Sequence, residues 1–238
     1  MGLFDFIGGK ERTFKKHAAR AASKKAQAAD RWVSLNFLGD NASAEAVAAL
    51  LQRFTFRIDP SITDQSEKDL ALKGIIGAGS VAVEPVREFL QTSASIAWPI
   101  KMLQSLVSGD EVVGALLELL EGMETDYERD PQKKIDLIMQ LEDHQDARIR
   151  PAVERFLEDA NENVRFHATG AILNQEDASE SQGKLLDALV VEEGVRVRVQ
   201  ILDGFIANEW ELGGRVAEVQ PKLPSGYILD GQSVRKKK

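Results

Sequence analysis

The chain has 238 residues, 43% of them hydrophobic, no cysteine and a formal net charge of −8. That length supports one large domain or a short repeat array with a continuous core, and the lack of cysteine excludes disulfides, thiolate metal sites and cysteine nucleophiles. The charge is uneven, with eight basic and three acidic groups in residues 1–31, four basic groups in 235–238, and 18 basic against 35 acidic groups between them, so the acidic body disfavours nucleic acid while the basic ends remain able to meet polyanions.

At the N-terminus the apolar run Leu3 to Ile7 is interrupted by Asp5 and is too short for an export signal or a bilayer span. Phe6 stands where a myristoylation signal at Gly2 wants Ser or Thr. No membrane association and a cytoplasmic location are therefore expected. Residues 1–30 read as a basic, Ala-rich capping helix, running from about Lys10 to Asp30. Its Lys10, Arg12, Lys15, Lys16, Arg20, Lys24 and Lys25 are the candidate polyanion-binding residues.

Helix pairs follow at roughly 14–38 with 43–54, 63–77 with 80–91, and 93–107 with 109–122. Gly77-Ala78-Gly79-Ser80-Val81-Ala82 spells a dinucleotide fingerprint, but residues 97–106 hold no acid for a ribose. The run reads instead as a turn with Gly79 at positive φ. Trp98-Pro99 reads as a helix start. Asp126, Glu128 and Asp130 imitate a calcium loop, yet Pro131 and Leu137 stand where glycine and glutamate belong. Asp130 is better placed to cap a helix opening at Pro131.

From Pro131 to Asn208 five helices are legible. Ile149, Ala152, Val153, Phe156 and Leu157 fall at i, i+3, i+4, i+7 and i+8, and Val164, His167, Ala168, Ala171 and Ile172 repeat that spacing. Short polar breaks between helices leave room only for antiparallel neighbours. The last large apolar residues of the first helices, Leu38, Ile76, Leu106, Leu141, Leu173 and Ile206, recur at a period near 30–45 residues, which suits stacked helix pairs. After Asn208, Gly213-Gly214, Pro221, Pro224 and Gly226 break helices. Residues 209–238 are therefore expected as an extended tail, with Tyr227-Ile228-Leu229 against the last repeat.

The string Asn161-Glu162-Asn163-Val164-Arg165-Phe166-His167-Ala168, followed by Ile172-Leu173 and Lys184-Leu185-Leu186-Asp187-Ala188-Leu189, resembles the HEAT repeat of the phycobilisome-lyase-like type. Asp146-Ala147-Arg148-Ile149-Arg150 and Glu193-Gly194-Val195-Arg196 are weaker echoes. The resemblance covers about residues 131–208. It implies an all-α superhelix, a HEAT-like solenoid of about five to six helix pairs over residues 31–208. It also implies that Arg148, Arg150, Arg165, Arg196 and Arg198 bridge to acidic turn residues of neighbouring repeats, such as Asp146, Asp159, Glu162 and Glu193, instead of forming an anion-binding stripe.

No catalytic constellation is visible. His17, His144 and His167 lack metal-ligand spacing, and no Ser sits in a G-x-S-x-G elbow. Residues 110–146 hold twelve carboxylates against three basic groups, a poor lining for a duplex. The reading is of a non-enzymatic scaffold, without cofactor or metal, that grips a protein or peptide along a concave face built from the second helices. Arg87, Glu88, Gln91, Glu118, Glu121, Arg155 and Glu158 are its candidate contacts. Polyanion binding through the basic helix, or a HEAT-like DNA glycosylase or bilin lyase, are the alternatives.

Overall fold

The computed structural model describes residues 3–237, with side chains from residue 9 onward. The acylation position Gly2 lies outside the described residues. The chain forms two compact units, residues 1–112 and 113–238.

In the first unit, α1 (Leu3–Ala21), α2 (Ala28–Gly39), α3 (Ala44–Leu51), α4 (Ser61–Gly77), α5 (Val83–Thr92) and α6 (Ala97–Leu106) follow one another with short connections. Ser43 opens α3 by accepting the Ala46 amide on its hydroxyl at 3.2 Å. Gly79, at φ +63°, supplies the turn between α4 and α5. Alternate helices pack in series: α2 on α4 and α4 on α6, with α1 on α3 and α3 on α5. The first series approaches closely at Gly74 of α4. A Cβ added there would lie 2.8 Å from the Cα of Gly39.

α7 (Gly109–Glu121) opens with a capping box, in which Ser108 and Glu111 exchange side-chain and backbone hydrogen bonds at 3.2 and 3.3 Å. The second unit continues with α8 (Gln132–Glu142), α9 (Ile149–Val153) extended by a tighter turn over Glu154–Glu158, α10 (Glu162–Leu173), α11 (Gln182–Val191) and α12 (Val195–Ala207). The Asp130 carboxylate accepts the Gln132 amide at 3.3 Å, and Asn161 caps α10 through the Asn163 and Val164 amides. α8 packs on α10 and α10 on α12, with α9 against α10 and α11 against α12. Of the apolar residues expected on α9 and α10, Ile149, Val153, Phe156, Val164, Ala168 and Ile172 are buried and Ala152 is half-buried.

The expected ends of the first helices are found. α2, α4, α6, α8, α10 and α12 end within one residue of Leu38, Ile76, Leu106, Leu141, Leu173 and Ile206. Two expectations need correction. The basic helix does not run from Lys10 to Asp30, nor does one helix cover 14–38, because the chain turns between Ala21 and Ala28. Helix propensity yields to tertiary contact there. The Arg31 guanidinium holds the Ala26 carbonyl, while Ala21 is fully buried and His17 stacks on Phe37 at 4.1 Å. The segment after Asn208 is not an extended tail either. It contains α13 (Val216–Val219) and an antiparallel hairpin of β1 (Tyr227–Asp230) and β2 (Ser233–Lys236), turning at Gly231 with φ +63°. The hairpin packs on α12, burying Tyr227 and Val234. The Tyr227 hydroxyl donates to the Asp203 carboxylate at 2.7 Å, and burial, then that carboxylate, pushes the phenol pKa up.

Candidate functional site

A ladder of ions runs through the second unit. Lys134 of α8 donates to the Glu124 carbonyl at 2.6 Å and to the buried Asp159 carboxylate at 2.8 Å. Two helices later, Arg165 of α10 donates to the Asp159 carbonyl at 2.9 Å and grips Glu192 with two nitrogens at 2.7 and 2.8 Å. Each acid is also fixed by a backbone amide two residues on, Asn161 for Asp159 at 2.8 Å and Gly194 for Glu192 at 2.6 Å. Burial pushes the Glu192 carboxyl up, but the Arg165 hydrogen bond and the Gly194 amide outweigh it and hold the pKa below the ordinary value.

Of the other expected ladder arginines, Arg150 and Arg196 reach acids of a neighbouring turn, whereas Arg148 meets an acid two residues before it and Arg198 meets backbone carbonyls, so the expected bridge is not made by all of them. Arg148 pairs with Asp146 at 2.6 Å, Arg150 with Asp177 at 2.7 Å and Glu154 at 2.9 Å, and Arg196 with Glu162 at 2.8 Å. Arg198 donates to the Lys222 carbonyl at 3.0 Å. Glu193 takes part through its backbone, its carbonyl accepting from Arg198 and its amide donating to the Glu192 carboxylate.

Beside this ladder two clefts adjoin. The larger, about 820 Å³, lies between the Glu154–Glu158 turn, the ladder and α11, and its apolar lining is Leu157, Ala188 and the exposed Val191. The smaller, about 490 Å³, lies between α7 and α9 and is lined by Leu117, Leu120, Pro151 and Ala152. Both are bounded by Arg155. Its guanidinium lies over the Phe156 ring at 4.6 Å and donates to the Leu120 and Glu121 carbonyls at 2.7 and 3.1 Å. Arg155 thereby caps the C-terminal end of α7, where partial negative charge gathers. Eight carboxylates and three cations line the two clefts. Arg165 is held by Glu192, and Lys184 lies 3.6 Å from Glu154.

The structure brings four of the expected contact residues together here. Glu118, Glu121, Arg155 and Glu158 all line the paired clefts. The other three belong to α5 in the first unit. Arg87 is half-buried, 4.0 Å from both Glu84 and Glu111, and Glu88 and Gln91 are exposed. Of the basic N-terminal residues, Lys15 pairs with Glu11 at 2.5 Å and Arg20 with Asp30 at 3.4 Å. Lys10, Arg12 and Lys16 on α1, and Lys24 and Lys25 in the turn after it, are exposed.

Sequence reasoning missed a buried ion cluster in the first unit. Glu67 of α4, fully buried, accepts Arg31 of α2 at 2.9 Å and Arg53, after α3, at 2.7 Å. Arg53 also reaches Asp64 at 2.7 Å, and Asp64 takes Lys68 at 2.7 Å and the Ile58 amide at 3.1 Å. Burial raises the Asp64 pKa, but those donors outweigh it and bring it to about 2. A signal was present. Lys68 and Arg31 stand four residues before Leu72 and Leu35, on the buried faces of their helices, as Lys134 stands before Ile138.

Compared with family models, curated proteins and solved structures, the chain matches none.

Proposed function

We propose that the protein is a non-enzymatic scaffold of HEAT-like helix pairs that grips a protein or peptide along the second helices, with the paired clefts of residues 113–238 as the contact surface. The observation that carries this reading is the adjoining of two open, partly aliphatic clefts across α7, α9 and α11, beside a ladder whose cations are already consumed within the fold. Ions spent on the scaffold hold geometry, and the surface next to them is left for contact. A photo-crosslinking residue at Ala152, at the mouth of the smaller cleft, tests it in native lysate. Adducts with one defined protein, absent when the crosslinker replaces exposed Asn36, are expected. A co-purifying small molecule in the cleft with no protein adduct would overturn the reading.

A second reading is polyanion binding, motivated by exposed Arg12, Lys16, Lys24 and Lys25 around the end of α1. Fluorescence anisotropy with duplex and single-stranded DNA checks it. Binding that weakens with salt and disappears when those four residues become Ser supports it, and no binding at low salt removes it.

A further inference from the structure

The groove formed by the two clefts has a partly aliphatic lining and an acidic rim, and the way its carboxylates are left indicates what covers it. Some acids of the second unit are answered within the chain, four of them on the groove itself: Glu154, Asp159, Asp187 and Glu192. Asp146, Asp159, Glu162, Asp177, Glu192 and Asp203 each accept an Arg or Lys side chain of the same chain. On the groove, Glu118 and Glu121 at the smaller cleft and Glu158 and Glu193 at the larger are exposed, and among the described residues no ion pair holds any of their carboxylates. The cations that could answer them point elsewhere, since Arg155 is tied to two α7 carbonyls and Arg165 to Glu192.

Around Arg155, which both clefts share, the lining also carries Pro151, which is exposed, and Val191, 70% exposed at the rim. Val191 sits at the end of α11, four residues after Asp187, whose own carboxylate is taken by Arg215. An exposed aliphatic rim flanked by unanswered carboxylates suits side chains that carry a hydrocarbon stem and a cationic head.

We propose that the groove binds a basic peptide segment, with Lys or Arg heads on Glu118, Glu121, Glu158 and Glu193 and with aliphatic side chains against Pro151 and Val191. This rests on the scaffold reading and adds the chemistry of its partner. Acidic segments are repelled by the same rim, and uncharged ones gain only the apolar contact. The contact is a rim-charge interaction in water, so it is salt-sensitive and of moderate affinity.

The test uses the full chain and three labelled synthetic peptides of one length: a Lys-Leu-Arg-Leu repeat, the same repeat with Glu for Lys and Arg, and the same with Ser. Anisotropy measures binding, and amide shifts in an isotope-labelled sample locate it. The basic peptide is expected to bind and to shift resonances of α7, α9 and α11. Its affinity should fall about tenfold or more in E158K/E193K, judged folded by circular dichroism, and again on raising salt from about 0.05 to about 0.5 M. The charge reversals D143K/E176K, at exposed acids away from the groove, should leave it unchanged. Equal binding of the Ser or Glu peptide at the groove would overturn the charge inference while leaving the scaffold reading intact. Absence of binding by all three would overturn the inference as well, with the scaffold reading still judged by the Ala152 crosslink. Basic-peptide binding that D143K/E176K weakens as much as E158K/E193K would show general attraction to an acidic surface and would also overturn it.

Discussion

Glu67 is the residue on which the first unit's interior charge depends. Its side chain is wholly removed from water and two guanidinium groups converge on it. Removing one partner of a buried ion pair leaves the other uncompensated, at a cost of about 3–5 kcal/mol. E67A should therefore lose about that much in urea unfolding, whereas R57A, at an exposed residue, should change little. Asp64 adds a pH signature. Its folded pKa of about 2 lies below an ordinary carboxylate value of about 3.9, so the folded state binds the proton less readily than the unfolded chain. Its contribution, about 2 kcal/mol, is present above pH ~4 and is lost as pH falls through about 2. D64N should remove that part of the acid limb of the stability curve, with the loss already present at neutral pH. Both residues were hidden from periodicity because charge on an apolar face reads as a break in the face, and Arg31 and Arg53, which converge on them, come from outside α4.

Helix positions were legible because each first helix carries its own apolar repeat and ends at a polar break, so period and boundary are local properties of the chain. Connections set by distant contacts were less so. The turn from Ala21 to Ala28 interrupts a run of good helix formers, and what makes it is Arg31 reaching both Ala26 and Glu67. Interhelix distance depends likewise on small residues whose role is invisible without neighbours. In α4, Gly74 faces the Cα of Gly39 so closely that an added methyl would press on backbone, whereas Gly77 faces open space. G74A is expected to cost about 1–3 kcal/mol by forcing α2 and α4 apart. G77A, with no clash and a better helix former, should gain about 0.5–1 kcal/mol. Thermal unfolding of the two single variants separates a packing role from a propensity role.

At the scale of the molecule, the segment after Asn208 acts as a lid on the last helix pair and not as a loose end. Leu212, Val219, Tyr227 and Val234 are buried there, and Trp210 meets Phe205 edge-on at 5.4 Å. Breakers and short runs hid this from the sequence, since a four-residue strand gives almost no alternation to read. Part of the groove was legible as a list of polar residues on second helices, including Glu118, Glu121 and Glu158. Glu193 and the aliphatic seat were not, because they appear only when α7, α9 and α11 are set side by side. Truncation after Asn208 should lower the melting temperature of the second unit by about 5–10 °C and raise its tendency to aggregate, as scanning calorimetry and light scattering would register.

The tethers from one helix pair to the next carry a kinetic consequence. They join residues from 11 apart, for Arg53 and Asp64, to 36 apart, for Arg31 and Glu67. Chain closure over such modest distances is entropically cheap, so assembly should nucleate on any neighbouring couple and spread outward quickly. Opening should run the other way, from the outermost turns inward, leaving amides of α10 among the slowest to exchange with solvent.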